Sequence, residues 1–404
     1  MLAAATSPPR LVTLVLLCGL SVLSLNMFLP SLSNMAADFQ ADYALVNLSI
    51  AGYLGVTAVL QLVIGPLSDR YGRRPVMLAG LSLFTLASLV CALTTDIRVF
   101  LTFRVLMGAV IAGWAVSLAA IRDTAEPQKA ASLIGYVSMA MAVAPMLGPM
   151  VGGALDELFG WRASFWTYVG LGAAVLLLCW IDLGETNKNP SATFAAQIRT
   201  YPELFRSRRF WGYSLCMAFS IGAFYSFLGG VPLVAERVLS LSTAELGFFM
   251  GTITAGFALG SFLSGRFAHR FALTTMVIAG RLVACVGLIG GLILVSADVV
   301  NVYSIFGATI FVGLGNGLTM PGCNAGALSV RPKLAGSAAG LSGALTVGGG
   351  GLLSSITGAV LTESAGAAQL LGMLLFCVLM GLLAALYVLR IDLREGREPQ
   401  AGAT

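Results

Sequence analysis

The sequence predicts an all-α membrane protein with twelve transmembrane helices arranged as two six-helix bundles. Three observations predict it. Apolar residues make up 58% of the 404-residue chain and charged residues 10%, against about 45–50% and about 25% in soluble domains. A water-soluble fold cannot hide that much apolar surface, so lipid must cover part of it. Twelve apolar runs, each close to the 20 or so residues that cross a bilayer, follow one another along the chain. Lys and Arg fall unevenly between alternate loops.

The runs cover 11–29, 46–67, 75–94, 99–121, 131–155 and 163–181 in the first half. The second half holds 210–235, 243–265, 273–296, 301–325, 336–361 and 367–389. The first run has no basic cluster or small-residue cleavage site, so it reads as a retained helix rather than a signal peptide. Segment 182–209 is polar, holds Pro190 and Pro202, and ends with Arg206, Arg208 and Arg209. It reads as a cytoplasmic linker between a bundle at 1–181 and a bundle plus short cytoplasmic tail at 210–404. With both termini inside, cytoplasmic segments hold 18 basic residues and outer loops hold three, Arg98, Arg162 and Arg237. That bias orients the chain.

The same features exclude other classes. The net charge of +5 lies in short loops, so it reports topology rather than a nucleic-acid partner. The seven Cys sit in apolar stretches without C-x-x-C spacing, which points to packing and not to a metal or disulfide. There is one His, His269, in a loop, and no phosphate-binding G-x-x-x-x-G-K-[ST] string. Neither an enzyme nor direct use of ATP is expected, and no cofactor is implied.

Several strings carry more than hydropathy. GPLSDRYGRRPVML spans 65–78. Gly65 permits close helix approach, Gly72 a tight turn, and Pro75 suits a first helical turn. Asp69 stands at a helix end, where the dipole of another helix start favours an anion. On the plainer reading, Arg70, Arg73 and Arg74 only fix topology. IRD at 121–123 puts Asp123 at the end of the fourth run. In APMLGPMVGG, 144–153, Pro145 and Pro149 remove backbone donors and bend the helix, while Gly148 and Gly152 give small-xxx-small spacing. Gly256 and Gly260 repeat that spacing in the eighth run, as a candidate partner across the halves. Arg104 and Arg281 lie inside runs, where a charge needs a cavity or a partner. For Arg104 the alternative is snorkelling to the headgroups. Arg281 reads either as an anion-attracting cavity residue or as a cation capped by carbonyls. A weak repeat sets SDRYGRR at 68–74 against SGRFAHR at 264–270, without the acid.

The 65–78 string resembles the loop 2–3 signature of the major facilitator superfamily. APMLGPMVGG resembles that superfamily's antiporter signature. FRVLMGA, 103–109, resembles its fourth-span signature, with Met107 where Gln is usual. The stretch 313–345, interrupted by Pro321, is similar to the bicyclomycin/chloramphenicol-resistance (Bcr/CflA) branch of the drug/proton antiporters. The resemblance covers about 12–390. It implies the major facilitator fold in a bacterial inner membrane, with two halves rocking in alternating access. It also implies a conformational latch built from 65–74 and span 11, and a pairing of Asp123 with Arg73.

One departure matters. The branch often carries an Asp four residues before its first L-P Pro, and this chain has Asn26 there. No Asp or Glu lies in the middle of any run, so the coupling route is open. The cavity residues expected are Asn26, Arg104, Arg281, Asn316 and Tyr225, with Asn47, Gln61 and Asn324. Phe219, Phe224 and Phe227 join Tyr225 in the seventh run, although aromatics there also serve plain packing. The set suits neutral or anionic amphiphiles better than organic cations. The expected function is proton-coupled efflux of small amphipathic compounds, such as antibiotics. The alternative is export of one endogenous metabolite or siderophore of anionic character with atypical coupling. A membrane sensor would want a soluble domain that the sequence does not show. The expected partners are a small-molecule substrate, the bilayer and protons, with the chain acting as a monomer.

Overall fold

The computed structural model describes residues 9–124, 133, 144–145, 147–187, 204–267, 270–330, 335–361 and 366–394. Among them there are helices and no strands, and eleven helical segments are long and apolar enough to cross a bilayer. About half of the fifth predicted run, 131–155, lies outside the described residues, as do 188–203 of the expected linker 182–209. The chain divides into two compact units, Met1–Phe194 and Ala195–Thr404.

In the first unit, α1 (Leu11–Asn26) passes through a 3-10 turn at Leu29–Ser31 into α2 (Leu32–Asp38). The first span thus runs beyond the predicted 29 to Asp38. Pro30 breaks the α ladder by withholding an N–H, but the tight turn carries the chain onward in the same apolar segment. Next come α3 (Tyr43–Tyr71), α4 (Arg73–Leu93) and α5 (Ile97–Leu106). Asp96 caps α5 by accepting from the Arg98 and Val99 amides at 2.7 and 3.4 Å. A second 3-10 turn, Met107–Ile111, leads into α6 (Ala112–Thr124). A helix over 147–159, here α7, and α8 (Arg162–Asp182) complete the unit.

The second unit holds α9 (Arg208–Arg237), α10 (Thr243–Phe267), α11 (Leu273–Ser296), α12 (Val302–Ser329), α13 (Ala335–Val360) and α14 (Gly366–Arg394). Its α12 starts with a reciprocal cap between Asn301 and Ser304, which satisfies two otherwise orphaned groups. Pro321 lies inside α12 and the helix continues past it to Ser329. Leu86, Phe262, Val286, Leu352 and Leu383 stand exposed on helix surfaces, as lipid-facing side chains do.

Small residues set the closest helix approaches. A Cβ on Gly256 or Gly260 would meet the carbonyl oxygens of Ile310 or Leu314 on α12, and Gly313 and Gly317 answer from α12 against Ile253 and Phe257. On α7, a Cβ at Gly148 would lie 3.2 Å from Asn26 Cβ, and one at Gly152 would fall on the Met27 carbonyl. The expectation that the 148/152 and 256/260 pairs face each other therefore needs correcting. Each pair is filled by a segment of its own unit: glycines on both faces bring α10 and α12 backbone to backbone, and on α7 the glycines make room for the backbone at Asn26–Met27.

Candidate functional site

Two clusters in the first unit, and one in the second, gather the side chains that the sequence singles out. The first cluster lies at the α3–α4 turn. Gly72 has φ +97°, and a Cβ there would also collide with the Glu185 carboxylate. Its lack of a side chain lets that carboxylate sit against the start of α4. Glu185 Oε1 accepts from the Arg73 amide at 2.9 Å and Oε2 from the Arg74 amide at 3.2 Å, where the helix dipole favours an anion. The Arg73 side chain is nearly buried. Its Nε lies 3.1 Å from Asp123 Oδ2, and its Nη1 donates to Ser68 Oγ at 2.6 Å. Thr186 Oγ1 donates to the same Asp123 oxygen at 3.3 Å. Arg74 Nη2 donates to the Trp180 carbonyl at 3.0 Å and its guanidinium lies over the Trp180 ring. Arg70 is exposed and lies over the Tyr71 ring. Gly65 and Asp69 lie on α3, and the Asp69 side chain falls outside what the structure describes. Sequence reasoning named Arg73 with Asp123. It missed Glu185 and Thr186, which the polar composition of 182–209 had assigned to a linker.

The second cluster forms where α1 stops. The last carbonyls of a helix lack intrahelical donors, as Ser24's does here, and side chains converge on this end; the Leu23 carbonyl also accepts from the Met27 amide at 3.0 Å. Asn26 Nδ2 donates to the Val22 carbonyl at 2.8 Å, Tyr168 OH to Leu23 at 3.0 Å, and Arg104 Nη2 to Ser24 at 2.7 Å. Arg104 is fully covered. Its guanidinium carbon sits 4.3 Å from the centre of the Phe28 ring and 4.4 Å from that of Tyr53. Nη1 points to the Met107 sulfur at 3.6 Å. The Tyr53 hydroxyl lies 2.6 Å from Ser24 Oγ. The cation is thus held by two ring faces, a thioether and one backbone carbonyl, with no ion pair among the described residues. Two π faces can stabilise a desolvated guanidinium by about 2 kcal/mol or more each. Snorkelling does not occur, and the cage residues Phe28 and Tyr53 carried no signal beyond being aromatic. Asn26 is buried, and its Oδ1 has no hydrogen-bond partner among the described residues.

The third cluster surrounds Arg281 on α11, also fully covered. Nη2 donates to Asn316 Oδ1 at 2.7 Å and Nε to Thr319 Oγ1 at 3.0 Å. Asn316 Nδ2 in turn donates to the Ser220 carbonyl of α9 at 2.9 Å. Its hydrogen-bond partners among the described residues are thus side-chain oxygens of α12. Tyr225 is half-buried beside Phe224, and its ring meets the position of a Cβ on Gly350. Phe227 is buried against Phe306 and serves packing. Pro149 is buried in α7, and Pro145 is helical and half-buried.

The Major Facilitator Superfamily profile matches residues 14–355. Multidrug resistance protein D of Escherichia coli (strain K12) is 30% identical over 395 residues, covering 96% of this chain and 97% of that protein. The MFS-type transporter YdgK of Bacillus subtilis (strain 168) is 30% identical over 375 residues, covering 89% and 91%. Among solved structures, a bacterial homologue of the human lysosomal transporter Spinster, inward-facing and occupied, superposes with a TM-score of 0.76. It covers 99% of this chain and 100% of that one at 19% identity, a likeness of fold.

Proposed function

The chain belongs to the Major Facilitator Superfamily, and from that premise we propose that it is a proton-driven exporter of small amphipathic compounds. It is a multi-pass membrane transporter for small molecules, not an enzyme. The finer reading is a Bcr/CflA-like antiporter, a monomer of the bacterial inner membrane with both termini cytoplasmic. Its bundles at 1–181 and 210–404 would exchange access across the linker 182–209. The observation that carries this reading is whole-length similarity, over 96% of the chain, to a protein named for multidrug resistance. The motif geometry supports it. Arg73, Asp123 and Glu185 tie the α3–α4 turn to the ends of α6 and α8, as a latch requires, and Asp69 would complete it.

The choice of cargo follows from the two buried cations. An anionic metabolite would draw on Arg104 and Arg281, and both are fully covered and engaged with the protein's own groups. Neutral amphiphiles fit better, because they need no counter-charge. The test is drug susceptibility of a hypersensitive host expressing the chain, with chloramphenicol and a quaternary ammonium compound, with and without a protonophore. Resistance to chloramphenicol that the protonophore abolishes is expected. No resistance to any amphiphile, or resistance indifferent to the protonophore, would overturn the reading. Asp69→Asn should slow efflux several-fold while the protein still inserts, and unchanged efflux would remove the latch.

A further inference from the structure

Three acids among the described residues are buried: Asp156, Asp182 and Asp392. Two of them are held by arginines. Asp182 lies 3.5 Å from Arg10 Nε and accepts from the Arg10 amide and Thr13. Asp392 lies 3.0 Å from Arg209 Nε. Asp156 differs, being 6% exposed with no cation paired to it among the described residues. Its Oδ2 accepts from Asn34 Nδ2 at 2.7 Å, and the Ser31 hydroxyl lies beside it.

Its position is as telling as its partners. Gly148, Gly152 and Asp156 succeed one another every four residues and so share one face of α7. Gly148 packs on Asn26, Gly152 on Met27, and Asp156 on Asn34. That stripe runs along the break between α1 and α2, the segment whose residue 26 is an amide instead of an acid. The carboxylate absent from α1 is present two helical turns away, on the facing helix.

We propose that Asp156 is the proton-binding carboxylate of this transporter, an inference that rests on the proton-driven reading above. Asn34 is an apt partner because an amide both donates and accepts. Its Nδ2 serves the ionised form, and its Oδ1 can accept from the protonated form. The other charges on the elements around it are Glu157 on α7 itself, Asp38 at the end of α2, which Arg162 of α8 holds at 2.6 Å, and Arg104, whose guanidinium lies over Phe28. Proton arrival would cancel the negative charge that α7 sets against the break, and departure would restore it.

Two measurements test this. Infrared titration of the purified protein in detergent should show a protonated-carboxyl band that persists above the ordinary carboxylate range and is missing from Asp156→Asn. In inverted vesicles under an imposed pH gradient, chloramphenicol uptake by Asp156→Asn should lose at least tenfold of its response to the gradient, with Asp156→Glu retaining it. If Asp156→Asn does not reach the membrane, Asn34→Leu takes its place and should move the acid limb of the pH profile upward. An unchanged infrared band, an unmoved limb, or a gradient response intact in Asp156→Asn would overturn the assignment and leave proton drive standing. Wild-type uptake that ignores the gradient would instead overturn proton drive, and the role of Asp156 with it.

Discussion

Arg104 and Arg281 pose the same problem in two units, and each unit solves it differently. Both guanidiniums are fully covered in apolar helix bundles, and neither has a carboxylate partner among the described residues. An uncompensated charge there costs several kcal/mol. The first unit answers with ring faces and the open end of a broken helix: Phe28, Tyr53 and the Ser24 carbonyl. The second answers with side-chain oxygens on an unbroken helix, Asn316 and Thr319. Stabilisation of Arg104 therefore depends on backbone shape at 26–31, whereas stabilisation of Arg281 depends on which residues occupy 316 and 319.

The largest effect should follow from removing the central acceptor at Arg281. Asn316→Leu strips the guanidinium of its shortest hydrogen bond and leaves the Ser220 carbonyl without its side-chain donor. A buried charged group left short of an acceptor costs about 3 kcal/mol. Thermal unfolding in detergent should fall markedly for this variant and much less for Asn316→Asp, which restores an acceptor with charge. Equal losses in the two variants would mean that Asn316 acts by shape and not by accepting.

At Arg104 the matching perturbation is of the backbone. Gly152→Ala puts a methyl on the Met27 carbonyl, and backbone cannot swing aside as a side chain can. Overpacking of this kind costs about 1–3 kcal/mol, and here it would push on the break that frees Ser24. A loss of stability together with loss of efflux is expected. The analogous Gly256→Ala on α10 should destabilise its unit without touching the Arg281 partners, since it meets Ile310 instead. Identical efflux phenotypes from the two alanines would erase the distinction between a backbone-built and a side-chain-built site.

These two sites also mark where the sequence stops being legible. Helix positions follow from apolar runs, because length and hydropathy are local properties, and Arg104 and Arg281 were conspicuous as charges inside them. Arg73 with Asp123 was legible from a motif string. The partners were not. Ser24 is 80 residues from Arg104, and Thr319 is 38 from Arg281. Hydropathy says that a helix is buried and leaves open which helix meets it. The same limit explains the glycine pairs, whose spacing announces a close approach without naming the partner. Asp156 was read as one more helix-end acid, since only the packing of α7 on the α1–α2 break reveals its burial.

Smaller effects separate hydroxyls at the two sites. Thr319→Val removes the acceptor of Arg281 Nε, a charge-assisted bond, and should cost about 1.5–3 kcal/mol. Tyr53→Phe keeps the ring face over Arg104 and removes only the hydroxyl beside Ser24 Oγ. Its loss should be about 1 kcal/mol or less, read from the same unfolding transitions. A tyrosine hydroxyl that mattered as much as Thr319 would show that the cage works by hydrogen bonding and not through its π faces.

The smallest expected change is a gain. Met107 stands where Gln is usual in the signature it resembles, and its sulfur, a weak acceptor, faces Arg104 Nη1 at 3.6 Å. Met107→Gln is close in volume, and its Oε1 would give that nitrogen a charge-assisted bond. Against this, Met107 is fully buried, so the new amide must also place its own N–H groups, and each one left unpaired is costly. The two terms nearly cancel, and the unfolding temperature should rise slightly, with a net effect below about 1 kcal/mol. A gain of several kcal/mol would mean that the aromatic cage contributes little and that Arg104 lacks only the kind of side-chain oxygen that Arg281 already has. A loss would show that the cage already satisfies the cation, with the thioether serving as an apolar wall.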